Sequence, residues 1–417
     1  MTAEAAVTRK ALAAACGDVR DGDGDGGPAE GAFVAAPAST AEAAAVMRVA
    51  AEHELAVVAR GGGSRLDWGT PPSRRELIID MSRMSGLLEH AAGDLVARAQ
   101  AGARMGDVAA ELARAGQELA LDVPGDASIG GVIASGLAGP RRLRYGTPRD
   151  LLIGITIVRA DGTVAKSGGK VVKNVAGYDL GKLIAGSAGT LGLITEAIFR
   201  LHPLPAARAF VTAEYVAVSV ACDAVAAAAN SPLVASAVEL TREAPGGPIR
   251  VGVLLEGSAD GVASRAMRMA DLLGKAEAGS GPPPWWPGAP RAEAGETLIR
   301  VSFWVSALPR VLDAIEAAAA AAEVAPATAG SAGAGVLYLR VDAPAPAVAG
   351  FVGALRADVA GQRGAVAVLT APAAVRGELA GRGGMSGPVP GLALMRAVKD
   401  QFDPGHRLAP GRFPQTL

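Results

Sequence analysis

The sequence predicts an α+β fold in two domains, on three observations. Its 417 residues exceed what one ordinary hydrophobic core supports. Up to Pro203 and Pro205, strand-like apolar runs mix with short helical stretches and never settle into long, regular alternation. Past that proline pair, strand-like runs are separated by alanine-rich helical stretches, which fits a mixed α/β, ferredoxin-like domain with an antiparallel sheet. The expected domains are therefore 1–205 and 206–390, with a C-terminal segment over 391–417.

In the first domain, FVAAP (33–37) reads as a short strand, and Ser39 and Glu42 have capping-box spacing ahead of the helix AEAAAVMRVAAEHEL (41–55). AVVAR (56–60) is the next strand and LIIDMSRM (77–84) continues the sheet. DLVARAQAGARM (94–105) gives another strand, and GDVAAELARAGQEL (106–119) has helical periodicity with Asp107 near its start. LLIGITIVRADGTVAKSG (151–168) is turned by Asp161-Gly162, a strong hairpin signal, and TLGLITEAIFRLHPLP (190–205) is a further apolar strand. In the second domain RAFVTAEYVAV, VASAVELT, IRVGVLLEG, TLIRVSFWV, GVLYLRVD and AVAVLTAP read as strands. DGVASRAMRMADLLG and PRVLDAIEAAAAAAE read as helices between them. The linker SGPPPWWPGAP (280–290) is too proline-rich for regular structure; Trp285 and Trp286 within it cap the local core, or else cover a ligand or dock a partner.

Half the residues are apolar and the formal net charge is -1, which favours a soluble globular protein and excludes an electrostatic nucleic-acid binder. Cys16 and Cys222 stand far apart, so neither a disulfide framework nor a zinc or iron–sulfur site is expected. No uncharged apolar run reaches membrane-spanning length, and a cytoplasmic location is expected. DGDGDGG (21–27) spaces Asp21, Asp23 and Asp25 like a calcium loop, with Gly26 next. The position of the bidentate glutamate is Ala32, so a plain acidic turn is the reading. His53, His90, His202 and His406 are scattered singly, and no metal site is expected.

Three glycine clusters carry the chemistry. In ARGGGS, Gly61, Gly62 and Gly63 follow a strand, but no Walker lysine ends the loop and Asp67-Trp68-Gly69-Thr70-Pro71-Pro72 cannot open a Rossmann helix. A tight turn or an anion-binding nest of N–H groups, assisted by Arg60 or Arg65, remains. VPGDASIGGVIASGLAGPRRLRYG (123–146) adds Gly130 and Gly131 after Ser128, then Ser135, Gly136 and Gly139. GSAGTLGLIT (186–195) adds Gly189, Thr190 and Gly192 at the head of a strand. Together they suit an extended, multiphosphate cofactor lying across the domain.

The run ARGGGS, PGDASIGG, YGTPRDLLIGITIVRADGTV and GGKVVKNVAGYDLGKLIAGSAGTLGLITEAIFRLHPLP resembles the FAD-binding domain of the vanillyl-alcohol oxidase and p-cresol methylhydroxylase type. KNVAGYDL with the C-terminal FDPGHRLAPGRF is most similar to the smaller FAD-binding subunit of the glycolate oxidase group. The resemblance implies a two-lobed FAD-binding domain over 1–205, to which 391–417 returns. It implies that Arg60, Gly61, Gly62, Gly63 and Ser64 hold the pyrophosphate from one side. Pro124, Asp126, Ser128, Ile129, Gly130 and Gly131 hold it from the other, with Ser135 and Gly139 beside them. Tyr145 and Gly146 follow the cofactor, and Gly189, Gly192 and Ile194 line its flavin or adenine portion. Ser64 stands where covalently flavinylated relatives carry histidine, which implies non-covalent FAD. Lys170, Lys173 and Asn174 either stabilise reduced flavin or are solvated or bind phosphate.

Oxidising a 2-hydroxy acid needs a base and a cation for the carboxylate. Catalytic relatives carry a histidine motif in the second domain, yet this chain has no histidine between 206 and 390, and catalytic residues stay unassigned. The tail has Ala409 where the family has asparagine, and His406 beside it is weakly placed for catalysis. The implied function is the FAD-binding subunit of a glycolate-oxidising complex, whose catalytic flavoprotein subunit holds the small hydroxy acid and whose iron–sulfur subunit accepts electrons. Any membrane association is then peripheral, at the inner face and through partners. A self-sufficient FAD-dependent oxidase or dehydrogenase of another small alcohol or hydroxy acid, or a structural subunit with a lapsed flavin site, are the alternatives.

Overall fold

The computed structural model describes residues 3–22, 32–170, 179–274 and 276–412. The residues Asp23, Asp25 and Gly26 of the acidic turn, and Lys173 and Asn174, lie outside them. The chain divides into unit 1, Met1–Leu137, Thr147–Leu204 and Pro390–Leu417, and unit 2, Ala138–Gly146 and Pro205–Val389. Among the described residues no helix is long and apolar enough to cross a membrane.

Unit 1 opens with α1 (Ala3–Ala15), β1 (Val19–Asp21), β2 (Phe33–Ala35), α2 (Thr40–Glu52), β3 (Val57–Arg60) and β4 (Leu77–Asp80). These strands form one sheet in the order β1-β2-β4-β3, with β4 parallel to both neighbours. The α2 crossover makes parallel strands possible, since such a pair cannot be joined by a tight turn. Ser39 Oγ accepts the Glu42 N–H at 3.1 Å and the Glu42 carboxylate accepts the Ala38 N–H at 2.9 Å, so α2 starts where the capping spacing placed it. Its Ala43, Val46, Met47 and Ala50 are buried along one helical stripe. The strand expected through Met84 stops at Asp80, because the Asp80 carboxylate accepts the Ser82 N–H and opens a 3-10 turn, Met81–Arg83.

The second lobe contains β5 (Leu87–Ala91), β6 (Val96–Gln100), α3 (Met105–Ala113), β7 (Gln117–Glu118) and α4 (Ile129–Ser135). After α5 (Arg142–Tyr145), which is counted in unit 2, come α6 (Pro148–Leu151), β8 (Leu152–Val158), β9 (Val164–Gly168), α7 (Gly181–Ile184), β10 (Leu193–Arg200) and β11 (His202–Pro203). A five-stranded antiparallel sheet runs β5-β6-β10-β8-β9. The helix expected over 106–119 is shorter: Gly116 takes φ +67° and Gln117–Glu118 pair with His202–Pro203 instead. Leu12, Met47, Leu77, Ile133, Ile155 and Phe199 belong to one apolar core shared by the two lobes of unit 1.

Unit 2 is two successive β-α-β-β-α-β passes. The first is β12 (Ala207–Tyr215), α8 (Val218–Asn230), β13 (Ala237–Arg242), β14 (Ile249–Gly257), α9 (Ala259–Leu273) and β15 (Glu277–Gly279). The second is β16 (Thr297–Ser302), α10 (Leu308–Ala322), β17 (Ala327–Gly330), β18 (Val336–Val341), α11 (Ala345–Gly361) and β19 (Ala365–Thr370). Their strands form one eight-stranded sheet, β15-β12-β14-β13-β17-β18-β16-β19. Each half has the ferredoxin-like order, and the halves join antiparallel through β13 and β17. Strand alternation sends Val238, Leu240, Val251, Val253, Leu337 and Leu339 into the core shared with the helices. α12 (Ala373–Ala380) follows, and α13 (Leu392–Phe402) belongs again to unit 1.

Candidate functional site

The strand β3 ends with Arg60 level with Asp80 in β4. Arg60 Nη2 lies 2.7 Å and Arg20 Nη2 3.1 Å from Asp80 Oδ2. Burial pushes the Asp80 carboxyl up, but hydrogen bonds from Arg60 and Ser82 outweigh it and hold the group below the usual carboxylate range. The chain then leaves the sheet through Gly61, Gly62, Gly63 and Ser64, whose N–H groups have no backbone acceptor among the described residues. Arg65 sits over the Trp68 ring at 4.8 Å and donates to Ser64 Oγ at 3.2 Å. The cations beside the glycines thus have partners of their own.

The second glycine cluster meets the first backbone to backbone. A Cβ on Gly61 would fall 1.9 Å from Ser128 Oγ, and one on Gly62 would fall 2.6 Å from the Asp126 carbonyl oxygen, so neither position has room for a side chain. Ser128 caps α4 by accepting the Gly131 N–H at 3.2 Å. The N–H groups of Ile129 and Gly130 donate to the Ala103 and Ala101 carbonyls, Pro124 accepts from Ala127, and Ser135 Oγ donates back to the Gly131 carbonyl. α4 in turn reaches the third cluster: Gly186 donates to the Ile133 carbonyl at 2.8 Å and Ala188 to the Ala134 carbonyl at 2.7 Å, just ahead of Gly189 at φ +78°. Gly192 packs on Ile157 of β8, and Ile194 is buried in β10. The three clusters form one connected backbone surface in unit 1.

Gly139, Tyr145 and Gly146 lie in unit 2. Tyr145 Oη donates to Glu256 Oε2 at 3.2 Å, and Arg141 and Arg208 hold the other oxygen of the same buried carboxylate at 3.3 and 3.0 Å. Lys170 pairs with Glu89 at 2.7 Å, and His406 Nε2 lies 3.0 Å from Asp400 Oδ1 at the surface.

The C-terminal tail is a part of this site that the sequence reading leaves without residue roles. Lys399 Nζ, buried on α13, donates to Asp403 Oδ2 at 2.6 Å, to the Thr190 carbonyl at 2.8 Å and to the Leu408 carbonyl at 3.1 Å. Asp403 also accepts the N–H groups of Arg407 and Leu408. Beyond it, Leu408 bridges in parallel to Val57 of β3, and the Pro410 carbonyl accepts the Ser73 N–H at 2.8 Å. Arg412 then donates to the carbonyls of Arg65, Leu66 and Trp68. The signal available in sequence was the pair of opposite charges four residues apart on a helix, Lys399 and Asp403, ahead of two prolines.

Residues 31–168 match the family described as FAD binding domain. This segment is an FAD-binding domain. The whole chain superposes on p-cresol methylhydroxylase with a TM-score of 0.75 at 16% identity, covering 99% of this chain and 97% of that one, which establishes the fold. Glycolate oxidase subunit GlcD of Bacillus subtilis (strain 168) is 38% identical over 188 residues, 44% of this chain and 39% of that protein. Glycolate oxidase subunit GlcE of Escherichia coli (strain K12) is 38% identical over 154 residues, 36% of this chain and 43% of that protein. The chain thus matches less than half the length of either relative. The glycine loop suits a phosphate-bearing cofactor in its free donors: Gly61 and Gly62 pack directly on Ser128 and Asp126, and the N–H groups from Gly61 to Ser64, without a backbone acceptor among the described residues, are available to an anion.

Apart from the FAD-binding domain, unit 2 holds a cavity of about 380 Å³ on the sheet face opposite its helices, lined among others by Arg142, Glu239, Thr241, Trp285, Tyr338 and Arg340. Trp286 packs edge-on against Phe210 at 4.9 Å, beside Leu254 and Ala237, while Trp285 lines the cavity. Trp286 thus caps a small local core, while Trp285 faces the cavity. Three of the lining guanidinia have protein partners: Arg242 with Glu316, Arg340 with Glu296 at 3.6 Å, and Arg142 with the Gly139 carbonyl and Tyr338 Oη.

Proposed function

We propose that the chain is the FAD-binding subunit of a complex that oxidises a 2-hydroxy acid, glycolate foremost, to the 2-oxo acid. A catalytic flavoprotein subunit carries the substrate, and an iron–sulfur subunit receives the electrons. The observation that carries the cofactor half of this reading is the closure of Gly61 and Gly62 on Asp126 and Ser128. Successive N–H groups from Gly61 to Ser64 would take the pyrophosphate on one side, and the backbone of 126–131 would close it on the other. When bound, FAD supplies two-electron chemistry, accepting a hydride equivalent from a carbinol C–H and passing electrons onward. Ser64 offers no imidazole for a flavin bond, and the cofactor is held without covalent attachment.

The division of labour rests on the unit 2 cavity and on the relatives. Guanidinia already matched to Glu316, Glu296 and backbone carbonyls are poor anchors for a substrate carboxylate, since a new anion must first displace a partner. The similarity to both GlcD and GlcE favours a multi-subunit assembly. One feature favours a self-sufficient dehydrogenase instead: Arg291 faces the same cavity with no acidic partner among the described residues. The purified chain is expected to show flavin absorbance that is released into the supernatant on acid denaturation. Glycolate or D-lactate should leave that flavin oxidised when the chain is alone and bleach it once the partner subunits are added. Bleaching by glycolate without partners would establish the self-sufficient reading, and a chain without flavin would establish a lapsed site.

A further inference from the structure

The backbone bonds that close the glycine loop on itself are long among the described residues. Beyond Arg60 it belongs to no helix or strand. Its turn bonds, Leu66 N–H to the Gly63 carbonyl and Trp68 N–H to the Arg65 carbonyl, are stretched to 3.4 and 3.3 Å, where hydrogen bonds weaken. Stronger bonds arrive from the far end of the chain. Arg412 Nη2 lies 3.0, 2.8 and 3.1 Å from the carbonyl oxygens of Arg65, Leu66 and Trp68, and bonds donated by a cation are about twice as strong as neutral ones. Burial pushes the Arg412 guanidinium below its ordinary value, partly offset by the Asp67 carboxylate, and its charge persists because arginine starts so far above neutrality.

The tail that delivers this guanidinium is itself fixed. Lys399 and Asp403 clamp its start, the Leu408 bridge to Val57 sets its register, and Ser73 holds Pro410. The loop is therefore stretched between two anchors, β3 at Arg60 and Arg412 at residues 65–68. The N–H groups from Gly61 to Ser64 have no backbone acceptor among the described residues. Arg60 cannot substitute as the second anchor, being tied to Asp80.

We infer that Arg412 is the positioning residue of the glycine loop: through this one guanidinium the C-terminal tail holds Gly61–Ser64 open for the cofactor's pyrophosphate. The inference rests on the reading of that loop as an FAD site. The test compares full-length wild type, Arg412→Ala, Arg412→Lys and Gly62→Val, using amide hydrogen exchange over 61–68 in the FAD-free chain and titration of that chain with FAD. Arg412→Ala should raise exchange at Leu66 and Trp68, the amides bonded within the loop, and weaken FAD binding at least about tenfold, the loss of roughly one charge-assisted bond. Arg412→Lys, which keeps the charge but ends one bond short of the Nη2 position that meets the three carbonyls, should fall between it and wild type. Unchanged exchange in Arg412→Ala overturns the inference whatever FAD does. Raised exchange with unchanged FAD affinity also overturns it, provided Gly62→Val loses FAD. If Gly62→Val binds FAD normally, the reading of the loop as the cofactor site fails first and takes the inference with it. Should Arg412→Ala not fold, the lysine variant decides by the same two measurements.

Discussion

Asp80 and Asp403 are both buried carboxylates, yet they do different work. Asp80 neutralises Arg60 at the mouth of the glycine loop, and its carboxyl is held below the usual range despite burial. A carboxyl lowered on folding contributes stability above its unfolded value of about 4, and loses that contribution as pH falls through the folded value. Asp80→Asn should accordingly flatten the loss of urea stability between about pH 5 and pH 3 relative to wild type; parallel acid profiles would show that Asp80 is not a source of the acid sensitivity. Asp403 sits in a pair whose side chains are 6% and 0% exposed. Removing one partner of such a pair strands the other charge, so Asp403→Asn should cost about 3 kcal/mol or more by denaturant titration. Burial also pushes the Cys222 thiol up to about 11, and native Cys222 should resist iodoacetamide near neutral pH until the chain is unfolded. Labelling of the folded protein at the rate of a free thiol would contradict that. Legibility among the residues follows the backbone: glycine announces the close approach at Gly61, Gly62 and Gly130 and the positive φ at Gly189. Arg412 is not legible in this way, since its partners lie more than three hundred positions away.

At the scale of elements, local signals with a physical cause were read well. The Asp161-Gly162 turn joins β8 to β9 with Gly162 at φ +82°, and the Ser39 cap starts α2. Element ends are less legible: β4 stops at Asp80, whose own carboxylate turns the chain, and α3 stops short of Gly116, where His202–Pro203 claim Gln117–Glu118. The proline-rich linker shows the same limit. Its tryptophans are conspicuous in sequence, but their seat is Gly252 in β14, where a Cβ would fall 2.8 Å from both indole rings. A glycine inside a strand without turn chemistry marks close approach by something, without naming it. Gly252→Val should therefore lift the linker from the sheet, at a cost of about 1–3 kcal/mol, and shift tryptophan emission to the red. Unchanged emission would mean that the linker is held by other contacts.

At the scale of the whole molecule, the two β-α-β-β-α-β passes of unit 2 were legible as an antiparallel α/β domain because their strands alternate cleanly. What the sequence could not reveal is that this domain draws in residues from much earlier in the chain. Ala138–Gly146 belongs to unit 2, where Arg142 donates to Tyr338 Oη, Leu143 packs on the core, and one buried carboxylate gathers two more of its side chains. Glu256, its side chain 1% exposed, is shared by Arg141, Arg208 and Tyr145. Two of those three partners come from the early segment, so residues 205–389 alone would bury Glu256 with Arg208 as its remaining partner in this cluster. A buried charge that loses part of its compensation weakens the fold by an amount on the order of a few kcal/mol. A fragment spanning 205–389 is thus expected to unfold at lower urea than the same unit in the full chain. Adding the peptide AGPRRLRYG (138–146) should raise its midpoint. Substituting glutamine for Glu256 in the fragment should remove the share of the peptide's effect that Arg141 carries, because a neutral amide no longer needs a second guanidinium. A midpoint indifferent to the peptide would mean that the early segment merely lies against unit 2 and contributes nothing to its stability.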